Sequence, residues 1–249
     1  MNAKSPRHWR LYWAALLLVV LYLAWLSPPH LTSQTSQAPP STVPTAPAAE
    51  QKKDPPDYSK EAFVVEKYNT LVQFENDGTS RQENTIRARI QSDAAVQQTG
   101  ELRFGYNSAN EKLEIDYVRV LKPNGGIIEA GASAVQDLTA PISREAPMYT
   151  DFRLKHVSVR ALQPGDTLEY KITKRVTDPL APGQFWYEYN FERDVIVLEE
   201  QLTLLVPQGR DIKLQIRRVE PAQTKEVTLT GGRRYLQYQW LHKNLARPT

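Results

Sequence analysis

The chain has 249 residues, with 31 Lys and Arg against 28 Asp and Glu and no cysteine. The missing thiols exclude a cysteine nucleophile, a thiolate metal site and a cysteine-linked lipid anchor, yet they are compatible with export, since a domain of this size can fold without disulfides. Lys4, Arg7 and Arg10 carry the whole formal charge of +3, so the rest is near neutral and a nucleic-acid reading loses its support.

Residues 1–10, "MNAKSPRHWR", form a positive n-region, and Leu11–Leu26 is an uncharged apolar run of sixteen residues. As a helix the run would span about 24 Å, somewhat short of a hydrocarbon core of about 30 Å. A cleaved signal peptide shares this layout. No A-x-A-like site follows at the usual distance, and Tyr12, Trp13, Tyr22 and Trp25 are rings suited to membrane interfaces. The reading favoured is a retained signal-anchor, with secretion after cleavage as the alternative. Either way the positive-inside rule exports everything after Leu26. Residues 27–57 then hold eight prolines, eight Ser or Thr and no aromatic residue. Such a stretch buries too little apolar area to offset the ordering of its backbone, which predicts a disordered, partly polyproline-II tether.

From Tyr58 onward the apolar pattern has a period of two, so one domain is expected over residues 58–247. "VVEKYNTLVQF" and "RQENTIRARI" flank the turn Asn76–Thr79, and "LEIDYVRVLKPNGGIIEA" turns at Asn124-Gly125; each predicts a hairpin. "QSDAAVQQTG" predicts a short helix. "HVSVRALQPGDTLEYKITKRV" reads as a third hairpin turning at Pro164-Gly165-Asp166. "FWYEYNF", "DVIVLEEQLTLLVP", "IKLQIRRV", "KEVTLT" and "RRYLQYQW" read as further strands. About ten strands without a βαβ rhythm predict an all-β, antiparallel two-sheet sandwich.

In "QFWYEYNF" Phe185, Tyr187, Tyr189 and Phe191 share one face and Trp186 stands on the other. The first four could be core or a stacking platform, and matching apolar residues in the next strand favour core. Trp186 remains a candidate binding residue. The stretch from Gly131 to Phe152 lacks a clear strand pattern, and within it Met148 and Tyr149 are candidates too. Residues 210–249 hold nine Lys or Arg against Asp211, Glu220 and Glu226. Solvated strand faces explain that excess simply; alternatively Arg217, Arg218, Arg233 and Arg234 dock an acidic protein, lipid or wall polymer. Of four histidines only His156 lies in the body of the domain, so neither a Ser-His-Asp set nor a two-His metal site is expected. No catalytic residue, metal or cofactor is assigned.

The segments "DYSKEA" (Asp57–Ala62), "LKPNGGIIE" (Leu121–Glu129), "EAPMYTDFR" (Glu145–Arg153), "LQPGDTLEYKI" (Leu162–Ile172), "PGQFWYEYNFERDVIVLEEQLTLLVP" and "RRYLQYQWLHKNLA" come in an order and spacing that covers residues 57–247. The set resembles the bacterial domain of unknown function that precedes transglutaminase-like domains in exported proteins. Ile196 departs from it, standing where many members have proline. The resemblance implies an all-β, two-sheet domain but no reaction. The Cys-His-Asp set of the downstream enzyme has no positions here to be carried onto.

These readings converge on a membrane-tethered, extracytoplasmic, non-catalytic accessory domain at the bacterial inner membrane. Its expected partner is a transglutaminase- or peptidase-like envelope protein, with no nucleic acid. The alternatives are an N-terminal remnant of a split or truncated transglutaminase-like protein, and a module that binds envelope polysaccharide or peptidoglycan.

Overall fold

The computed structural model describes residues 57–140, 151–191, 194–217 and 219–245. The apolar run 11–26 and most of the Pro/Ser/Thr-rich stretch 27–57 lie outside them, as do Met148, Tyr149 and Arg218. Among the described residues no helix is long and apolar enough to cross a membrane.

The Asn76–Thr79 turn joins β1 (Phe63–Phe74) to β2 (Ser80–Ile90) as the sequence predicts. The helix α1 (Asp93–Thr99) starts where Ser92 accepts a hydrogen bond from the Ala95 amide, a side-chain N-cap. Then follow β3 (Glu101–Asn107), β4 (Glu111–Leu121), β5 (Ile127–Glu129), β6 (Val135–Thr139), β7 (Phe152–Ser158), β8 (Thr167–Val176), β9 (Val197–Pro207), β10 (Gln223–Thr228) and β11 (Arg234–Leu245). They form an eight-stranded sheet in the order β10-β11-β9-β1-β2-β8-β4-β5 and a three-stranded sheet in the order β3-β7-β6. Both sheets are dominated by antiparallel pairs.

Three expectations are corrected. β1 and β9 pair in parallel, a contact between distant strands that no local pattern reveals. Pro164-Gly165-Asp166 does not close a hairpin: β7 pairs with β3 and β6, whereas β8 pairs with β2 and β4. The reason lies in the bonding around Asp166, which is 2% exposed. Its carboxylate lies 2.7 Å from Lys122 Nζ and accepts from the Gln163 amide, while the Ile90 amide donates to the Asp166 carbonyl and the Gly165 amide to the Ile90 carbonyl, bonds that draw the start of β8 to the end of β2. The turn is therefore committed to the large sheet. Thirdly, "FWYEYNF" and "IKLQIR" (212–217) adopt no strand pairing.

Alternation explains the core. On one face of the large sheet Ile90, Leu168, Val118 and Val120 pack beneath α1 and the small sheet through Ala95, Val157, Leu102 and Phe104. On the same face of the other half, Val72, Phe74, Leu202, Leu204, Val206 and Trp240 pack beneath Phe185, Tyr187, Tyr189, Ile212 and Val219. The first half is thus roofed by a paired sheet, and the second by two irregular segments, 184–191 and 211–217, with Val219 beyond the latter. The opposite face carries ion pairs. Glu169, 8% exposed, meets Arg119 at 2.5 Å and Arg87 at 3.4 Å, and Glu83 meets Arg81 and Lys171, each at 2.6 Å.

Candidate functional site

The aromatic roof begins at a corner where three segments meet. In the β1–β2 turn Gly78 has φ +93°, and a Cβ there would lie 2.6 Å from the Gln184 carbonyl oxygen. Glycine is required twice over, for the left-handed backbone and for the close approach. The Gly183 amide donates to the Asp77 carbonyl at 2.7 Å. The Arg210 guanidinium donates to the carbonyls of Asn76 and Gly183 and lies 5.6 Å from the centre of the Phe185 ring. Asp77 keeps its carboxyl below the ordinary range because it accepts from the Thr79 amide and then from its hydroxyl.

Beyond this corner, alternation turns Phe185, Tyr187, Tyr189 and Phe191 inward. Phe185 stacks on Phe74 with ring centres 4.0 Å apart, and Phe191 lies 4.3 Å from His242. The Tyr189 hydroxyl donates to Oε1 of the fully buried Glu200 at 2.7 Å. Burial, above all, pushes the Tyr187 and Tyr189 hydroxyls well above the ordinary tyrosine range. The stripe is core. Glu200, which interrupts the apolar alternation of β9, serves as the acceptor under it.

The outward side is different. Trp186 is 68% exposed and Leu180 is 76% exposed. Both border a cavity of about 210 Å³ at the seam between the two roofs. Its floor is Val72, Phe74 and Val176; its polar wall is Gln82, Asn110, Glu111 and Lys174. Lys174 pairs with Glu111 at 3.4 Å, and the buried Asn110 Oδ1 has no hydrogen-bond partner. An exposed indole beside an apolar floor and a few polar groups is a surface suited to recognition.

A second cavity of about 540 Å³ lies between residues 187–191 and residues 213–217 with Val219, above Leu202, Leu204 and Trp240. Arg217 borders this groove. Arg233 sits elsewhere, 3.0 Å from Glu75 in a pocket near the β1–β2 turn. Arg234 begins β11 opposite Thr228 and is exposed. His156 occupies the central strand of the small sheet, with Nε2 3.1 Å from Glu101. Among the described residues no group of three or more His, Cys, Asp or Glu could hold a metal ion. Leu180, Arg210, Gly78 and Trp240 were not singled out by the sequence reading. Gly78 is legible as part of the turn "NDGT" and Trp240 as one member of the alternation in "RRYLQYQW"; Leu180 and Arg210 carry no signal of their place.

A family model described as a domain of unknown function with a solved structure matches residues 76–249. Among curated proteins none matches the chain. Among solved structures, a proposed protease from Parabacteroides distasonis superimposes with a TM-score of 0.61 at 16% identity. The match takes in 76% of this chain and only 36% of that one. At that identity the likeness is one of fold.

Proposed function

The chain belongs to the DUF3857 family of domains of unknown function; we propose that it is a membrane-tethered, extracytoplasmic, non-catalytic interaction domain that works beside a transglutaminase- or peptidase-like partner. The observation that carries this reading is the pair of exposed apolar side chains, Trp186 and Leu180, at the mouth of the seam cavity. Large apolar groups left in water beside a concavity mark interaction surfaces, and tryptophan is prominent among the residues that anchor them. In support, a similar fold makes up about a third of the proposed protease of Parabacteroides distasonis, so this architecture can sit beside other protein mass. Tethering rests on the apolar run Leu11–Leu26 behind a positive n-region. The two-sheet arrangement, one roofing half of the other, is the sandwich of this reading.

The test is in-cell photo-crosslinking of the full chain with a photoreactive amino acid at Trp186, and at Lys112 on an exposed strand position as control. The expected result is an adduct from position 186, absent from position 112, to a protein with a transglutaminase- or peptidase-like domain. Equal adducts from both positions, or none, would overturn the reading.

The seam cavity also favours a second reading. An exposed indole beside the amides of Gln82 and Asn110 is the kind of surface a sugar ring can stack on, so an envelope glycan is the alternative ligand. Retention on peptidoglycan that falls in Trp186→Ala would favour it over the protein partner; equal retention would remove it.

A further inference from the structure

We infer that the groove between residues 187–191 and 213–217 is an acceptor for an extended, acidic peptide strand, which would complete the second roof of the large sheet. One half of the covered face lies under three paired strands, β3-β7-β6. The other half lies under two extended segments with a gap between them. Residues 185–191 and 211–217 take part in no strand ladder, and no backbone hydrogen bond ties them to another described residue. Rows of N–H and C=O groups left unpaired among the described residues, on both sides of a gap, form the template on which strand addition depends.

A second observation lies on the floor. Trp240 is 7% exposed, borders the groove, and its Nε1 has no acceptor. A buried indole N–H without a partner is costly, and a peptide carbonyl above it would relieve that cost. The walls then select the peptide. Leu214 and Ile216 are 44% and 39% exposed on alternate positions of one rim, which suits apolar side chains at every second residue. Lys213 and Arg217 on the same rim favour acidic residues between them. The volume of about 540 Å³ falls within the usual range for a binding site, about 300–1,000 Å³.

This inference deepens the interaction reading by giving it a second surface, and its test is separate. Crosslinking at Trp186 can fail while the groove still binds, and the reverse also holds. The experiment uses the full chain labelled with ¹⁵N at tryptophan, the Trp240 indole signal being assigned by its loss in Trp240→Phe. The probe is a capped seven-residue peptide in which valine alternates with glutamate and threonine. We expect a saturable shift of the Trp240 indole signal and at least about tenfold slower exchange of its proton. Methylating alternate peptide amides should abolish both effects, because it removes the strand's donors. Trp240→Phe should weaken binding about fivefold to tenfold. Arg217→Glu changes an exposed side chain and leaves the core intact; it should weaken binding at low salt, with the difference closing near 1 M salt. An unmoved Trp240 signal would overturn the proposal, as would equal binding of the methylated peptide. A shift that follows protein concentration alone would overturn it in favour of a second copy of the chain.

Discussion

Single atoms decide the corner where the aromatic roof begins. Gly78 holds a left-handed backbone and leaves no room for a methyl group against Gln184, so Gly78→Ala should cost about 1–3 kcal/mol, read as a lower urea midpoint with an unchanged slope. An unaltered midpoint would show that the corner shifts freely. Tyr189→Phe deletes one oxygen and leaves Glu200 buried without the donor at 2.7 Å. A hydrogen bond to a buried carboxyl group is worth about 1–2 kcal/mol, and the loss should appear in the same measurement. Glu200 was legible in the sequence as a break in the apolar alternation of β9. Its acceptor role was not, because the donor belongs to a segment whose path over the sheet no local pattern encodes.

At the level of elements, the small sheet is held across its strands by Asp137. Its carboxylate accepts from the Tyr106 hydroxyl at 2.7 Å and from Arg153 at 2.8 Å, with Lys155 at 3.5 Å. Partial burial raises its pKa, but these hydrogen bonds and charges outweigh that and hold it below the ordinary carboxylate value. A lowered folded-state pKa gives stability that is present above the unfolded value, about 3.9, and is lost as pH falls through the folded one. The small sheet should therefore loosen below about pH 4, and amide exchange in β6 and β7 should rise there more in wild type than in Asp137→Asn. Equal acid sensitivity of the two proteins would contradict this. The predicted hairpins at 76–79 and 124–125 form because each turn joins strands that remain neighbours. The predicted hairpin at 164–166 fails because Asp166 and Lys122 bind the turn to the large sheet. Asp166→Ala leaves Lys122 largely buried with only the Ala161 carbonyl and no countercharge, so it should cost about 3 kcal/mol, checked by thermal unfolding.

For the whole domain, period-two alternation was enough to give the all-β class and to assign the aromatic stripe to the core, since both follow from which side chains avoid water. Alternation could not say which extended segments would find partners. "FWYEYNF" and "IKLQIR" carry a strand pattern and make no ladder, since hydrogen-bond pairing depends on a neighbour and not on the segment itself. Hydrogen exchange should separate the two kinds of roof. Amides of 185–191 and 211–217 should exchange orders of magnitude faster than those of β1 and β9, although their side chains share one core. Comparable protection would mean that the segments are bonded in solution.

The parallel contact between β1 and β9, in which Val65 stands opposite Val197, bears on how the chain reaches its native state. The second strand of the domain can zip onto the first within microseconds, but the first cannot acquire its other neighbour until β9, after seven intervening strands, has been made. Until then one rim of the nascent hairpin stays open, with Val72 and Phe74 beside it. A product ending before Val197 would keep that rim permanently, ready to join a second such fragment edge to edge. Interrupted synthesis should therefore give aggregates rather than a smaller soluble module.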